Sequence, residues 1–154
     1  MSVHKLNRDQ FIPESLENVW SYFCDPYNLN EMTPPDMNFE IITNPLVKMF
    51  EGQMIEYRVE FIKGLRSIWI TEIAHVLEKS YFVDEQRIGP YRFWYHQHFF
   101  ESVTGGTRMV DDVTYSIGYG LAGKIMNDVW IKNKLEYIFN FRAKKINVMF
   151  QENR

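Results

Sequence analysis

Cysteine is nearly absent. Cys24 stands alone among 154 residues, so no disulfide can form within the chain, and a reducing compartment suits it. No apolar run approaches the roughly 20 residues that span a bilayer, and no opening stretch has the charged-then-apolar form of a secretory signal. A cytoplasmic protein with no integral membrane association is expected. Excess positive charge is missing too. The formal net charge is −3, and the one local basic excess, "RAKKI" at 142–146, fits a solvated helix face. Nucleic acid is therefore not an expected partner. Repeats, low-complexity segments and linker-like shifts in composition are also absent. Residues 1–154 accordingly read as one domain, long enough to bury roughly 70% of its unfolded surface without staples.

Chemical motifs are equally sparse. The chain has no GxSxG, no CxxC, no Ser–His–Asp order and no phosphate-cradling glycine loop. "GYGLAG" at 118–123 reads as a flexible entry to the last helix, with a phosphate-binding role as the alternative. What the chain holds in quantity is aromatic and soft apolar volume: 12 Phe, 9 Tyr, 4 Trp and 8 Met. Such side chains build either a bulky core or an apolar cavity with adaptable walls.

The hydrophobic period changes twice along the chain. "SVHKLNRDQFI" alternates and reads as a strand. In "PESLENVWSYF" Leu16, Val19, Trp20 and Phe23 fall at helical spacing, with Pro13 and Glu14 suiting a first turn. Asp25 and Pro26 can then open a second short helix carrying Leu29 and Met32 inward, which Pro34 and Pro35 stop. From about 36 to 118 the chain reads as strands and turns. "MNFEIIT" is one strand, and "MIEYRVEFI" puts Ile55, Tyr57, Val59 and Phe61 on one face with charges on the other. "RSIWITEIAHVL", "YFVDEQ", "YRFWYHQHFFESV" and "TRMVDDVTYSIGY" follow, with a hairpin at Gly105-Gly106. From about 121 to 149 the period is helical again. Leu121, Ile125, Val129, Leu135, Phe139 and Ile146 form a stripe that Met126, Trp130, Tyr137, Ile138 and Phe141 widen. Roughly 28 residues make a helix about 42 Å long, and so wide an apolar face needs a concave partner.

The order of elements, with "ENVWSYFCDPYNLNEMTPP", "FVDEQRIGPYRFWYHQHFF", "GGTRMVDDVTY" and "LEYIFNFR", resembles the helix-grip fold of the START-like, birch-pollen-allergen-like superfamily (SRPBCC). Within it, the motifs look like a bacterial ligand-binding or polyketide-cyclase-like branch. The resemblance implies an α+β protein: a curved antiparallel sheet of about seven strands wrapped on a long C-terminal helix, with two short helices after strand one. It also implies an internal, mostly apolar cavity between helix and sheet. One scaffold in this superfamily carries lipid carriers, hormone receptors, cyclases and hydrolases, so the fold does not name the function.

"FWYHQHFF" at 93–100 concentrates the candidate chemistry. On a strand, Trp94, His96, His98 and Phe100 share a face, as do Met109, Asp111, Val113 and Tyr115 on the next. The glycine hairpin makes these strands neighbours, with His98 near Asp111 and His96 near Val113 or Tyr115. Pointing inward, these groups can orient a ligand headgroup or perform acid–base chemistry. The plainer alternative is that Asp111 satisfies a buried histidine. A His-x-His pair also recurs in metal sites, where Asp111, Glu85 or His75 could complete the set. Nothing in the spacing demands it, and neither a metal nor any other cofactor is expected. Gln86 shares a face with Phe82 and Asp84 and could reach the cavity. Asp84 and Glu85 read as an edge or salt-bridge pair, and Gly89-Pro90 as a bulge or turn.

The leading expectation is binding of a small hydrophobic molecule: a lipid, a quinone or an aromatic, polyketide-like compound. His96, His98, Asp111, Gln86 and Tyr115 would fix its polar end, while Trp69, Trp94, Met109, Ile138 and Phe139 wrap the rest. One alternative is a cyclase, dehydratase or hydrolase, with His96 or His98 as base and Asp111 as its orienting partner. Another is an interaction module whose aromatics are all core. The sequence carries no signal for an oligomeric state.

Overall fold

A computed structural model describes residues 2–44 and 48–151 of the chain. Strand β1 spans His4–Ile12 and helix α1 Leu16–Phe23. Two 3₁₀ turns, Pro26–Asn30 and Pro35–Met37, lead to a two-residue strand β2, Glu40–Ile41. The meander is β3 (Met54–Ile62), β4 (Leu65–Leu77), β5 (Tyr81–Ile88), β6 (Phe93–Val103) and β7 (Gly106–Ser116). The C-terminal rod is α2 (Gly120–Met126), a π-helical turn at Asn127–Ile131, and α3 (Lys132–Gln151). The seven strands form one antiparallel sheet in the order β1-β7-β6-β5-β4-β3-β2.

Local chemistry explains most boundaries. Ser15 caps α1 by accepting from the Asn18 amide at 3.3 Å, and Val19, Trp20 and Phe23 are its buried stripe. Asp25 accepts from the Tyr27 amide at 3.0 Å, and Pro26 follows at the first position of its turn. The second element is 3₁₀ rather than an α-helix, and Pro34 and Pro35 follow a few residues beyond it. The strand expected at 37–43 shrinks to Glu40–Ile41: Asn38 adopts a left-handed conformation (φ 43°) that turns the chain before pairing starts. In β3 the two-residue period holds, with Ile55, Tyr57, Val59 and Phe61 buried. Register shifts between Ile70/Thr71 and Ile73/His75 interrupt the β4–β5 ladder. Such bulges bend and twist a sheet, which supplies the concavity the helix needs.

The stripe on the rod differs from its expected course. Leu121, Ile125 and Val129 are 74%, 57% and 69% exposed, and the buried residues there are Gly123, Asn127 and Ile131. The π turn holds one residue more than an α turn, so the buried face is offset before and after it. Tyr115 Oη donates to Asn127 Oδ1 at 2.7 Å, and Asn127 Nδ2 lies 3.1 Å from His4 Nδ1. These bonds anchor a polar residue where the stripe predicts an apolar one. Gly123 packs so closely on the Gly118 carbonyl that a Cβ there would collide with it, and Gly118 itself has φ 85°. The glycine-rich entry is a tight corner. Beyond the π turn, Leu135, Ile138, Phe139 and Ile146 are buried as the spacing predicts.

The rod lies across the concave face. Its middle packs Ile131, Leu135, Ile138 and Phe139 on Leu6, Val59, Phe61, Trp94 and Val113 of the sheet. Its last turns pack Ile146 and Phe150 with α1 residues Val19, Trp20 and Phe23 and with Phe82, Phe100 and Met109.

Candidate functional site

Between the sheet and the rod lies a cavity of about 170 Å³, on the order of ten times what one water requires. Its walls are mostly apolar: Val59, Phe61 and Trp69 from the sheet, Leu135, Ile138 and Phe139 from α3. The 3₁₀ turn forms one lip through Pro26 and Leu29, and Met49 sits beside it. Short side chains at Val59 and Thr71 leave space where the curved sheet stands away from the helix. Trp69 Nε1, on the wall, is buried with no hydrogen-bond partner.

One wall is polar. His98 pairs across the ladder with Asp111 and His96 with Val113, as expected, but the turn residues are Thr104 and Gly105, one position before the expected Gly105-Gly106, with Gly106 already paired to Val103. On the other side of β6, Asp84 of β5 stands opposite His96. Alternation on three adjacent strands therefore brings two carboxylates and two imidazoles to one face as a square, each imidazole with one aspartate opposite and one diagonal. The hydrogen bonds run along the diagonals: His96 Nε2 to Asp111 Oδ1 at 3.0 Å and His98 Nε2 to Asp84 Oδ2 at 2.9 Å. His96 Nδ1 lies 3.3 Å from Asp84 Oδ2. His98 Nδ1 is 2.8 Å from Asp111 Oδ1 but out of line with it, so that close contact is not a hydrogen bond. Trp94 Nε1 donates to the other oxygen of Asp84 at 3.2 Å. The imidazole centroids are 3.7 Å apart, and Phe82 stacks on His98 at 4.0 Å.

Three of the four groups are buried, with His96 3%, His98 4% and Asp111 6% exposed, and Asp84 is partly open at 18% side-chain exposure. Burial works against the charged form of both aspartates. The hydrogen bonds and charges of His96 and His98 outweigh it and hold both carboxyls well below the usual range. Burial likewise disfavours the His96 imidazolium. The Asp84 charge and the hydrogen bonds that His96 donates to both carboxylates prevail, so its pKa is raised.

Of the residues expected to contact a ligand, Trp69, Trp94, His96, His98, Ile138 and Phe139 line this cavity. The other four lie elsewhere. Gln86 clamps the Gly89-Pro90 turn, donating to the Tyr91 carbonyl at 2.6 Å and accepting from its amide at 3.1 Å. Met109 belongs to the packed core under α1. Tyr115 serves Asn127, and Asp111 backs the two histidines from behind the wall. His75 is exposed at its place on β4, away from the cluster, and Glu85 ion-pairs with Arg87 at 3.1 Å.

Two lining residues escaped the sequence reading. Asp84 is no edge residue; it bridges both histidines. Its alternation with Phe82 was the available signal. Arg142, the first residue of the "RAKKI" stretch, lines the cavity with its guanidinium 5.0 Å from the Phe139 ring centroid and its Nε buried without a partner. Its three-residue offset from Phe139 marks the same helix face.

No family model matches the sequence, and no curated protein matches it either. Solved structures do. A START superfamily protein from Mycobacterium smegmatis aligns over 98% of this chain and 99% of its own, with a TM-score of 0.72 and 14% identity. The Zhui aromatase/cyclase from a Streptomyces species aligns over 97% and 94%, with a TM-score of 0.75 and 10% identity. Ara h 8.0201 aligns over 94% and 98%, with a TM-score of 0.64 and 17% identity. The architecture is thus the START-like helix-grip fold, α+β, with a seven-stranded curved sheet around a long C-terminal helix. Among the described residues, no helix is long and apolar enough to cross a membrane.

Proposed function

We propose that this protein binds a small hydrophobic molecule in the cavity between the sheet and the C-terminal helix. The apolar walls at Phe61, Trp69, Ile138 and Phe139 would hold its body, and His96, His98 and Asp84 its polar end. The observation that carries this reading is an apolar-walled space of about 170 Å³ with a cluster of two imidazoles and two carboxylates on one side. Pockets that combine apolar area with a few convergent polar groups are where small ligands bind. The lone buried Cys24 supports a cytoplasmic setting, and we treat residues 1–154 as one binding domain. Native extraction followed by denaturing mass spectrometry tests the reading, together with thermal shifts against fatty acids, quinones and polycyclic aromatics. A copurifying apolar compound or a saturable shift is expected. Neither appearing would refute it.

A second reading is acid–base catalysis of a cyclase, dehydratase or hydrolase type on such a molecule. It draws on the His–Asp contacts at the cavity wall and on the aromatase/cyclase among the fold neighbours. His96 or His98 would take a proton, with Asp111 or Asp84 orienting the ring. If His96→Gln and His98→Gln both keep full turnover of a substrate found by screening, this reading fails.

A further inference from the structure

We propose that Asp84, His96 and His98 bind one divalent transition-metal ion at the cavity wall, with Asp111 orienting both imidazoles from behind. The site adds to the ligand-binding reading without depending on it, because a metal-free cavity can still hold an apolar molecule.

The donor atoms already have suitable spacing. His96 Nδ1 and His98 Nε2 lie 3.3 and 2.9 Å from the same oxygen of Asp84, and all three lie within 4.8 Å of one another. Nitrogen and oxygen ligands about 2.1 Å from one ion, at tetrahedral or octahedral angles, stand roughly 3.0–3.4 Å apart. The opposite edges of the rings complete the pattern. His96 Nε2 and His98 Nδ1 lie 3.0 and 2.8 Å from one oxygen of Asp111. A metal-bound imidazole usually gives its second N–H to a carboxylate, which sets its tautomer and aim. Asp111 is placed for that role toward both rings at once, and it lies off the cavity surface. A small turn of His98 would bring its now misaligned Nδ1 into line with Asp111 while Nε2 stays toward Asp84.

Charge points the same way. With neutral imidazoles the cluster keeps two negative charges in a buried wall, and a dication cancels them. Arg142, the cation on the helix side of the cavity, lies over Phe139. The three donors come from the sheet side only, so the remaining coordination positions face the cavity, where water or a ligand oxygen can enter. Two imidazoles and one carboxylate suit Zn²⁺, Co²⁺ or Fe²⁺. They do not suit Mg²⁺ or Ca²⁺, which take oxygen ligands. The competing account is a metal-free network in which the two imidazoles and two carboxylates satisfy one another.

Full-length protein, stripped with chelator, is titrated with Co²⁺ and Zn²⁺ by calorimetry, and the Co²⁺ form is followed by visible ligand-field absorption. One equivalent is expected to bind with a Kd at or below roughly 10 µM, and Mg²⁺ to produce no response. Asp84→Asn and His98→Gln should each weaken binding by more than about 100-fold, Asp111→Asn by about 10- to 100-fold, and exposed His75→Gln not at all. Proton spectra of the Co²⁺ protein provide a test that needs no variant: two hyperfine-shifted, solvent-exchangeable imidazole N–H signals are expected. Absence of saturable Co²⁺ and Zn²⁺ binding overturns the proposal. So does binding unchanged in folded Asp84→Asn and His98→Gln, or a Co²⁺ spectrum without those two signals. Copurifying-ligand analysis of the same stripped sample reports separately on the apolar cavity.

Discussion

Under α1, Trp20 meets Phe82 and Phe100 edge-on with ring centroids 6.2 and 5.4 Å apart, and Phe23, Met109, Ile146 and Phe150 fill the remaining space. Beneath the middle of the rod, Trp69 meets Trp94 in the same edge-on manner at 5.4 Å, yet here the aromatics border a cavity and a polar cluster. Both regions use large aromatics between the same sheet and the same helix. The difference lies in what fills the gap. Near α1 a third layer of side chains closes it. At the rod's middle the 3₁₀ segments contribute Pro26, Leu29 and Met37 to the cavity lining, and the short side chains of Val59 and Thr71 form part of the sheet wall. A curved sheet gripping one helix is solid only where another element plugs it.

Substitutions can break this comparison. Trp20→Ala removes a side chain from the closed region and should cost about 3–5 kcal/mol in chemical denaturation. Ile138→Ala, whose side chain already borders open space, should fall near the lower end of the 2–5 kcal/mol range for such truncations, about 2 kcal/mol. If Ile138→Ala costs as much as Trp20→Ala, the cavity wall is packed as tightly as the core. Val59→Leu extends into the cavity. It should leave stability unchanged or raise it by up to about 1 kcal/mol, while reducing any ligand-induced thermal shift.

Acid–base behaviour sharpens the contrast, because ionisable groups on the cavity side interact strongly. Asp84 and Asp111 are held below the usual carboxylate range, so their stabilisation is present above about pH 4 and is lost only as acid protonates the folded cluster. His96 is held above about 6.5, so its stabilisation is complete below that pH and is lost as pH rises through the raised value. Asp84, Asp111 and His98 face it from the sheet, and Arg142 lies beyond Phe139 on the helix. Chelator-treated protein should therefore have a Tm that falls as pH rises from 6.5 toward 9. The slope should be smaller in His96→Gln; an unchanged slope would remove His96 as its source. Tyr115→Phe, which takes one hydrogen bond from Asn127, should cost about 1 kcal/mol by the same denaturation assay. On the closed side, burial pushes the Cys24 thiol up to about 11, so only about one part in a thousand is thiolate at pH 8. Alkylation of Cys24 should be negligible in the folded protein and rapid in denaturant, as read by mass spectrometry.

The stripe from Leu135 to Ile146 and the alternation in β3 were legible in the residues, because helical and extended periods are properties of the chain itself. So was the nearness of His98 to Asp111, since a tight glycine-containing turn makes β6 and β7 neighbours, although the turn residues are Thr104 and Gly105, with Gly106 already paired to Val103. A residue whose role depends on a strand far away in sequence was not legible in this way. Asp84 looks like a charged edge position until β6 is laid beside β5. Arg142 looks like a surface cation until its turn of helix faces the cavity. Leu121, Ile125 and Val129 follow a faultless helical spacing, and one π turn offsets it.

Sequence alone determined the elements and their order, the sheet–helix partnership and the presence of paired imidazoles on one strand face, because each follows from local period and turn chemistry. Tertiary structure alone decided which face of the rod is buried and that a cavity persists at its middle. It also decided that two aspartates from different strands enclose the imidazole pair. Those outcomes depend on how far a bulged sheet curves and on where the rod is offset, and both are set by contacts between residues distant in the chain.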